Sequence, residues 1–403
     1  MNRQLITVII SISILLFLQL PAWGMGSENP ADLSLPGTHF ELVLPGLSLH
    51  SGNNLMNLEN INLDMTDPAV RDAFLSRMEA GYFKLNTGID VEPSITIGRL
   101  QLKTRSWGGA TVCLAPGWTD LLFKGYEPNK EYNFDGTVIN GLAAASLDLS
   151  LGLPLLVDEP YSLGLGATFH YLQGVAIADM EFTRGTIVTD EFAQAHYEFE
   201  GTAYTNIAGS NYTLPLGEST GYTYDLGLVY KNNRLTTGLV FKNIGPGIHW
   251  KGITAWTGEV TGDLNGGPNG IPDYSDYTVE GDSLQENVEL TTPLPIVMDV
   301  TADYKLIPKH ITAHLGFEKG FKDGWGVSST PRYWAGLDLE TLRIIRLAGE
   351  VGYQGKQLDF QAMAELRLWI LWINAKLGWT GDYSPISDKT TGFSAATTVK
   401  IHF

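Results

Sequence analysis

The stretch Gly221–Lys242 reads GYTYDLGLVYKNNRLTTGLVFK and alternates large apolar residues with small or polar ones on either side of a short turn. Every second position from Tyr222 to Tyr230 is tyrosine or leucine, and the alternation continues from Leu235 to Phe241. Successive residues of a strand point to opposite faces, so each half predicts a strand with one apolar and one polar face. Because Asn232 and Asn233 suit a tight turn, the stretch predicts an antiparallel hairpin.

The same alternation recurs along most of the chain. Further segments begin at Leu163, Met298, Ile311 and Leu358, and the charged residues of each lie on a single face. Roughly fourteen to sixteen such segments follow Thr38, a number within the size range of transmembrane barrels. The segment from Leu358 reaches the about 9 to 11 residues that a tilted spanning strand requires. Alternation alone would also fit a soluble sandwich, whose apolar faces pack on a second sheet.

The last eleven residues favour the barrel over the sandwich. Alternate positions end on an aromatic C-terminal residue and share one face: Phe393, Ala395, Thr397, Val399, Ile401 and Phe403. This pattern is typical of the C-terminal strand that the outer-membrane barrel assembly machinery recognises. We therefore interpret Phe393, Val399, Ile401 and Phe403 as an assembly signal and expect that machinery to be a partner.

The N-terminus has the organisation of an export signal. Arg3 precedes an apolar run from Leu5 to Leu20, and the small-x-small triplet Ala22-Trp23-Gly24 follows it. This arrangement predicts a cleaved signal peptide at 1–24 and a mature barrel at 25–403. A spanning helix is the alternative, but the run is shorter than the about 20 apolar residues a bilayer needs. The expected location is the cell outer membrane, with its lipid as a partner.

Composition excludes several other classes of protein. The formal net charge of −18 makes nucleic acid a poor partner. Cys113 is the single cysteine of the sequence, which leaves no disulfide framework and no thiolate metal site. The 45 glycines and 11% aromatic residues fit many short strands rather than a helical core.

Two short stretches predict helices instead of strands. Asp67 precedes Pro68 and the segment 68–75, so Asp67 is expected to cap a helix that has proline in its first turn. Trp118–Phe123 is a second, weaker candidate. The predicted fold class is therefore all-β: a transmembrane antiparallel β-barrel of roughly 14 strands with short N-terminal helical elements. Residues 25–90 are expected to form a hatch-like segment and the first strand.

A long acidic loop is expected at 258–290, and part of it resembles a calcium loop. Its oxygen donors stand at tight spacing around Gly270: Asp263, Asn265, Asn269, Asp273 and Asp276 through side chains and Ile271 through its carbonyl. Hard cations such as Ca²⁺ prefer ligands of this kind in a flexible loop. An ordinary polar turn rich in glycine and asparagine is the alternative. No other cofactor is expected.

Histidines offer little support for catalysis. His310 and His314 would lie about 13 Å apart on a strand, too far to share a metal ion. A serine hydrolase built on His50-Ser51 or His170 has no carboxylate at a recognisable spacing. We therefore expect that the protein is not an enzyme.

Three further motifs resemble one family of membrane barrels. The motif Asn29-Pro30-Ala31-x-Leu33 is similar to the signature near the mature N-terminus of the FadL-like superfamily, which includes hydrocarbon and fatty-acid transporters and PorV-type secretion barrels. Leu294–Val300 resembles the Leu-Pro strand that opens the C-terminal half of those barrels, and Trp334–Leu339 with Ala348–Tyr353 resembles the following pair. The resemblance implies a barrel of roughly fourteen strands, an N-terminal hatch in the lumen, and ligands that leave sideways into the membrane.

Two functions remain open from the sequence. The first is a passive transporter or channel for hydrophobic or amphipathic small molecules. The second is a structural or secretion-associated barrel that does not transport and binds a partner through its loops. An apolar cavity with a lateral opening would favour the first, and a lumen closed by charged side chains would favour the second.

Overall fold

The computed structural model describes residues 29–35, 40–54, 67–76, 81–125, 127–158, 160–191, 194–206, 218–266, 272–273, 277–280, 285–325, 327–342, 344–355, 357–381 and 391–402. The predicted signal peptide at 1–24 and the terminal Phe403 lie outside these residues. Within the described part of the chain, no helix has the length and apolarity needed to cross a bilayer.

The described residues form strands with two short helices and one 3₁₀ turn. The helices are α1, Pro68–Leu75, and α2, Pro116–Lys124, and the turn is Pro30–Ser34. The strands are β1 Phe40–Val43, β2 Leu47–Asn53, β3 Phe83–Val91, β4 Ser94–Ile97, β5 Leu100–Leu114, β6 Glu131–Asn133, β7 Thr137–Asp158, β8 Tyr161–Thr189, β9 Ala195–Thr205, β10 Thr220–Lys231, β11 Leu235–Gly266, β12 Pro272–Asp273, β13 Tyr277–Glu280, β14 Gln285–Thr292, β15 Val297–Ile307, β16 Ile311–Gly320, β17 Arg332–Leu342, β18 Ile345–Gln354, β19 Gln357–Leu368, β20 Leu371–Gly381 and β21 Gly392–His402.

These strands pair antiparallel and close into a ring of 14 wall strands. Five wall strands consist of successive segments: β1 with β2, β3 with β4, β6 with β7, β9 with β10, and β12 through β15. The ring closes where β21 pairs with both β1 and β2, with Leu42 opposite Ile401 and Leu49 opposite Ala395. A closed ring pairs every strand edge, which a chain in a bilayer requires. The predicted fold class is confirmed.

The wall has its apolar face on the outside of the ring and its polar face on the inside, the reverse of a soluble protein. On β10, Tyr224 and Leu226 point outward and are 42% and 52% exposed, whereas Thr223 and Asp225 point into the ring and are buried. Other wall strands repeat this arrangement, with exposed outward residues such as Leu149, Leu165, Val300, Leu315, Leu337, Leu347, Leu366 and Leu377. An apolar surface around a ring with a polar interior is the pattern of a barrel that faces lipid.

Outward tyrosines mark the two edges of this apolar band. Tyr161, Tyr230 and Tyr304 stand at the end where short turns join the strands, and Tyr171, Tyr222, Tyr333 and Tyr353 stand at the other end. Amphipathic rings are enriched at membrane interfaces, where one end is apolar and the other is hydrated. Tyr161 and Tyr171 are ten residues apart on β8, which matches the about 9 to 11 residues of a spanning strand.

Both predicted helices are present, on the opposite side of the ring from the short turns. Asp67 caps α1 by accepting a hydrogen bond from the backbone N–H of Ala69 at 2.8 Å. The two helices pack together through Phe74 and Phe123, whose ring centroids lie 5.4 Å apart. Aromatic pairs of this kind prefer an edge-to-face arrangement, as seen here.

The strands β8, β9 and β11 continue well beyond the apolar band. β8 has 29 residues and β11 has 32, about three times what a bilayer crossing needs. Their far ends pair through β9, with Ala178 opposite Thr205 and Val260 opposite Phe199. We call this extension the projecting sheet. Where the predicted acidic loop 258–290 is described, it consists of strand segments β11 to β14 within or beside this sheet.

Candidate functional site

The segment Asn29–Ser34 lies inside the ring against β7, β8 and β10, and we call it the docked segment. Asn29 caps its turn, since Oδ1 accepts from the Ala31 N–H at 3.0 Å. The Nδ2 of the same residue donates to the carbonyl oxygens of Leu228, at 2.9 Å, and Leu239, at 3.4 Å. One asparagine of the sequence motif thus both folds the segment and attaches it to β10 and β11.

Glycines on four adjacent wall strands make room for the docked segment. They are Gly152 of β7, Gly164 and Gly166 of β8, Gly227 of β10 and Gly238 of β11. A Cβ atom at Gly166 would overlap Pro30 and Ala31, and one at Gly227 would overlap Asn29. The glycines lie near the end where Asp158 of β7 pairs with Tyr161 of β8 and where the turn 232–234 joins β10 to β11, so the segment lies at that end of the lumen.

Asp32 is the charged residue of the docked segment. Its side chain is exposed by surface area, yet protein atoms of the lumen surround its carboxylate and partly desolvate it. Desolvation raises the pKa of Asp32 most, the negative charge of Asp303 raises it as well, and Lys231 opposes them; together they place the pKa at about 7. Asp32 therefore titrates close to neutral pH, and docking is coupled to its proton.

His170 links two carboxylates on the inner face of neighbouring strands. Its Nδ1 lies 2.8 Å from Asp148 Oδ1, and its Nε2 lies 3.0 Å from Asp225 Oδ2. Asp148 is fully buried and also lies 3.9 Å from the ammonium of Lys103. When doubly protonated, the imidazole bridges β7, β8 and β10 by two ion pairs. Because both nitrogens face carboxylates, His170 is not placed to activate a hydroxyl nucleophile.

The wall is interrupted beside this bridge. Pairing between β11 and β15 ends at Lys242 and Val297, and β11 pairs with β14 again only from Ile248 and Thr292. We call the two stretches that do not pair with each other, 243–247 of β11 and 293–296 before β15, the wall break. Gly245 and Gly247 have φ values of 152° and 83°, which L side chains rarely adopt. Pro293 and Pro295 lack the N–H that a ladder needs, so regular pairing cannot continue here.

Asn243 closes the wall break through its side chain. Its Nδ2 donates to the Pro295 carbonyl at 3.1 Å, and its backbone N–H donates to Asp225 Oδ1 at 2.8 Å. Asp225 is also a partner of His170. The wall break is therefore held by a chain of polar contacts from His170 to Pro295 instead of a backbone ladder.

Apolar residues pack inside the ring at the height of the wall break. This inner cluster comprises Leu142, Ala144, Leu172, Ile177, Ile248, Trp250, Ile253 and Leu294, with Trp107, Tyr204, Val288, Leu290 and Trp325 partly buried against it. The carbonyl oxygen of Trp325, from the segment after β16, lies 3.8 Å from a Cβ position at Gly109 of β5. That segment therefore crosses the ring above the inner cluster.

Trp250 packs against β8 in the part of the wall where the described segments β9 and β10 end at Thr205 and begin at Thr220. The six-membered ring of Trp250 lies over Gly174 of β8, where a Cβ atom would collide with it. Trp250 is fully buried as a result.

The other side of the lumen carries ion pairs. Arg332 is buried and binds Glu350 Oε1 at 2.6 Å and both carboxylate oxygens of Asp359 at 2.5 and 3.0 Å. Nearer the short turns, Arg367 binds Glu340 and Glu365 at 2.6 and 2.7 Å. Inward charges on β17, β18 and β19 thus neutralise one another across neighbouring strands.

The structure separates the two histidines that the sequence places four residues apart. His314 points into the lumen with Nδ1 2.7 Å from Asp303 and Nε2 3.6 Å from Asp338. His310 lies in the turn before β16, where its backbone N–H bonds to the carbonyl of Ile307. They are thus a lumen-lining and a rim residue.

The predicted calcium loop is only partly described. Asn269, Ile271 and Asp276 lie outside the described residues, as do the side chains of Asn265 and Asp273, whose backbones pair in β11 and β12. Asp263 Oδ1 lies 2.9 Å from His196 Nδ1. Among the described residues, no group of three or more His, Cys, Asp or Glu side chains is arranged to hold a metal ion. The calcium site remains a prediction.

The predicted assembly residues occupy the face that the alternation indicates. Phe393 and the other described members, Val399 and Ile401, point outward from β21, which contacts β1, β2 and β20. Phe403 lies outside the described residues. Their role in assembly remains a prediction.

Two features of the lumen were not found from the sequence. Asp148, His170 and Asp225 are far apart in the chain, and only the pairing of β7, β8 and β10 brings them together. Trp250 carries no local signal, because its burial depends on contact with Gly174 of the distant strand β8. The glycines at alternate positions of β8 are the one sign that could have indicated a close approach of another segment.

Several solved structures are similar in fold at low sequence identity. The toluene transporter TodX of P. putida shares 8% identity, with 96% of each chain covered and a TM-score of 0.48. The toluene transporter TbuX of Ralstonia pickettii shares 11%, with 93% of this chain and 92% of that chain covered and a TM-score of 0.46. A Pseudomonas aeruginosa FadL homologue shares 10%, covering 92% and 91%, with a TM-score of 0.42. Scores this low assign no function, and the likeness to PorV-type barrels remains a prediction.

Sequence comparison gives a family instead. No curated protein matches the chain at a significant level. The profile of a family described as "Family of unknown function (DUF5723)" matches residues 30–357, which include the docked segment except Asn29, the wall break and the inner cluster. The chain, a transmembrane barrel with a segment docked in its lumen, belongs to this family.

Proposed function

We propose that this protein is an outer-membrane transporter that lets hydrophobic or amphipathic small molecules pass from the inner cluster sideways through the wall break. One observation carries the proposal. Leu294 belongs to the buried inner cluster, whereas Ile296, two residues along the wall break, is 36% exposed among the outward residues. Apolar side chains therefore continue from the lumen to the lipid-facing surface at a place where no backbone ladder closes the wall.

The docked segment supports a sideways route. It lies in the lumen at the short-turn end, where a molecule travelling straight through the barrel would have to leave. The polar side chains around His170 lie between this segment and the inner cluster, and an apolar molecule would lose free energy by passing them. The wall break lies level with Tyr222 and Tyr224, so an exit there opens at the interfacial edge of the apolar band.

Uptake of radiolabelled dodecane by cells that carry the barrel tests the proposal. Leu294→Asp places a charge in the path and should reduce uptake to that of cells with an unrelated barrel. Ala348→Asp adds the same charge to the lumen wall of β18, beside Arg346, and should leave uptake unchanged. Heat-modifiable migration confirms that each variant folds. If the wild type takes up no more dodecane than the unrelated barrel, the transport function is wrong.

A second function is favoured by a different observation. The ion pairs of β17 to β19 project into the lumen, and the projecting sheet carries an excess of acidic residues such as Glu181, Glu198, Glu200 and Glu259. A closed barrel that binds a basic partner through this sheet would have both features. Dodecane uptake no higher than that of the unrelated barrel would favour this second function, whereas normal uptake that is insensitive to Leu294→Asp would mean transport by a path other than the wall break.

A further inference from the structure

The indole nitrogen of Trp250 is a buried donor without an acceptor. Trp250 is 0% exposed, and its Nε1 has no hydrogen-bond partner among the described residues. A buried N–H group that has lost water and gained no acceptor is unfavourable, and most buried donors in native proteins are paired. A donor left unpaired in a candidate transport path therefore points to an acceptor supplied by a ligand.

The indole of Trp250 is part of the inner cluster. Its six-membered ring lies against Gly174 of β8, so the nitrogen lies at the other end of the indole. The buried members of the cluster, among them Ile248, Ile253 and Leu294, have no polar side-chain atoms apart from Trp250 Nε1. Leu294 belongs both to this cluster and to the wall break, so the Trp250 donor lies in the same cluster as the start of the proposed path.

We infer that the inner cluster binds an apolar molecule with one uncharged oxygen acceptor, such as a ketone, ester, ether or alcohol, and that Trp250 Nε1 donates to this oxygen. This inference rests on the proposed transport function and specifies its substrate class. The members of the inner cluster are aliphatic or aromatic, so they offer no cation to a carboxylate or phosphate. Burying an anion without a partner is much less favourable than burying a neutral oxygen, which excludes anionic ligands from this position.

A matched pair of probes tests the inference. 2-Dodecanone and dodecane have similar chains, but only the ketone carries an acceptor. The protein is labelled at its isoleucine methyl groups and indole nitrogens and studied by NMR in detergent micelles. Both probes should shift the methyl signals of Ile248 and Ile253, and only the ketone should move the Trp250 indole N–H signal downfield.

Variants measure the contribution of the donor. Trp250→Phe keeps an aromatic ring and should reduce affinity for 2-dodecanone about five- to tenfold while changing dodecane affinity little. Trp379→Phe is the matched control, because its Nε1 also has no partner but its side chain lies on the outward face of β20, stacked on Phe360. This variant should keep the wild-type preference for the ketone. If Trp250→Phe does not fold, the indole signal of the wild type decides the question.

Two outcomes overturn the inference. If both probes shift the isoleucine methyl signals and the Trp250 indole responds equally to both, the transported class is plain hydrocarbon and the transport function stands. If neither probe shifts these signals, the inner cluster is only a packed core. Dodecane uptake then decides separately whether the protein transports by another path.

Discussion

The wall from β16 to β21 and the wall from β7 to β15 differ in how they are held together. In the first region, the described strands pair with nearly unbroken register, and buried charges such as Arg332 are matched on neighbouring strands. In the second, the pairing of β11 with β14 and β15 lapses at 243–247 and 293–296, and glycines line the lumen. A wall held by regular backbone pairing is expected to stay closed. A wall held by side-chain hydrogen bonds can open locally with a smaller loss of free energy. The site therefore lies in the irregular region.

Removing a charge from the regular region should have the largest effect. Arg332→Met leaves Glu350 and Asp359 buried without their cation, and breaking such a pair costs about 3 to 5 kcal/mol. The free energy of unfolding, measured by reversible urea titration in lipid vesicles, should fall by this amount. Arg184→Met is the control, because Arg184 is 56% exposed beside Glu198 and should cost at most about 1 kcal/mol. Equal losses would mean that the lumen charges do not hold the regular region.

The two faces of the irregular region should respond differently to a new charge. Leu226→Arg places a cation on the lipid-facing surface midway between Tyr222 and Tyr230, which should lower stability by about 2 to 4 kcal/mol. Thr236→Arg places it on the partly exposed lumen side of β11 and should be tolerated. Thr223 is not a suitable inward control, because it is fully buried beneath Gly245. The same urea titration measures both variants, and equal destabilisation would contradict a lipid-facing outer surface.

A side chain in the glycine-lined wall should release the docked segment without unfolding the barrel. Gly166→Val fills the space of Pro30 and Ala31, so the hydrogen-exchange protection of the Ala31 N–H should drop sharply. Gly349→Val is the matched control, since a Cβ at Gly349 meets nothing within 4 Å. Unchanged protection in Gly166→Val would show that the segment does not depend on this contact.

The proton on Asp32 should make docking depend on pH. Its pKa rises from about 3.9 in a free chain to about 7 when docked, so the docked state binds the proton more tightly. Docking should therefore weaken as pH rises from about 4 to 7 and stay constant above that range. The protection factor of the Ala31 N–H, corrected for intrinsic exchange, should be higher at pH 5 than at pH 8. Asp32→Asn should remove this difference, and a difference that persists would assign the pH dependence to another group.

The sequence by itself determined the class of fold and much of its surface. Alternation from Tyr222 to Tyr230 predicted which side chains face lipid, because the period of a strand is two whatever it packs against. Asp67 and Pro68 predicted α1, because capping and proline placement are local interactions. The motif at Asn29 was also recognised in the sequence. Its docking in the lumen was not predicted, because the glycines that make room for it lie more than one hundred residues away.

Tertiary structure alone decided where the candidate site lies. The bridge of Asp148, His170 and Asp225 exists only because β7, β8 and β10 are neighbours in one register, which no spacing along the chain reveals. The wall break and the burial of Trp250 likewise depend on how β11 lies against β14, β15 and β8. Local sequence determines which face of a strand a side chain occupies. Strand pairing between distant parts of the chain determines which other side chains it contacts. The chemistry of the lumen depends on these contacts.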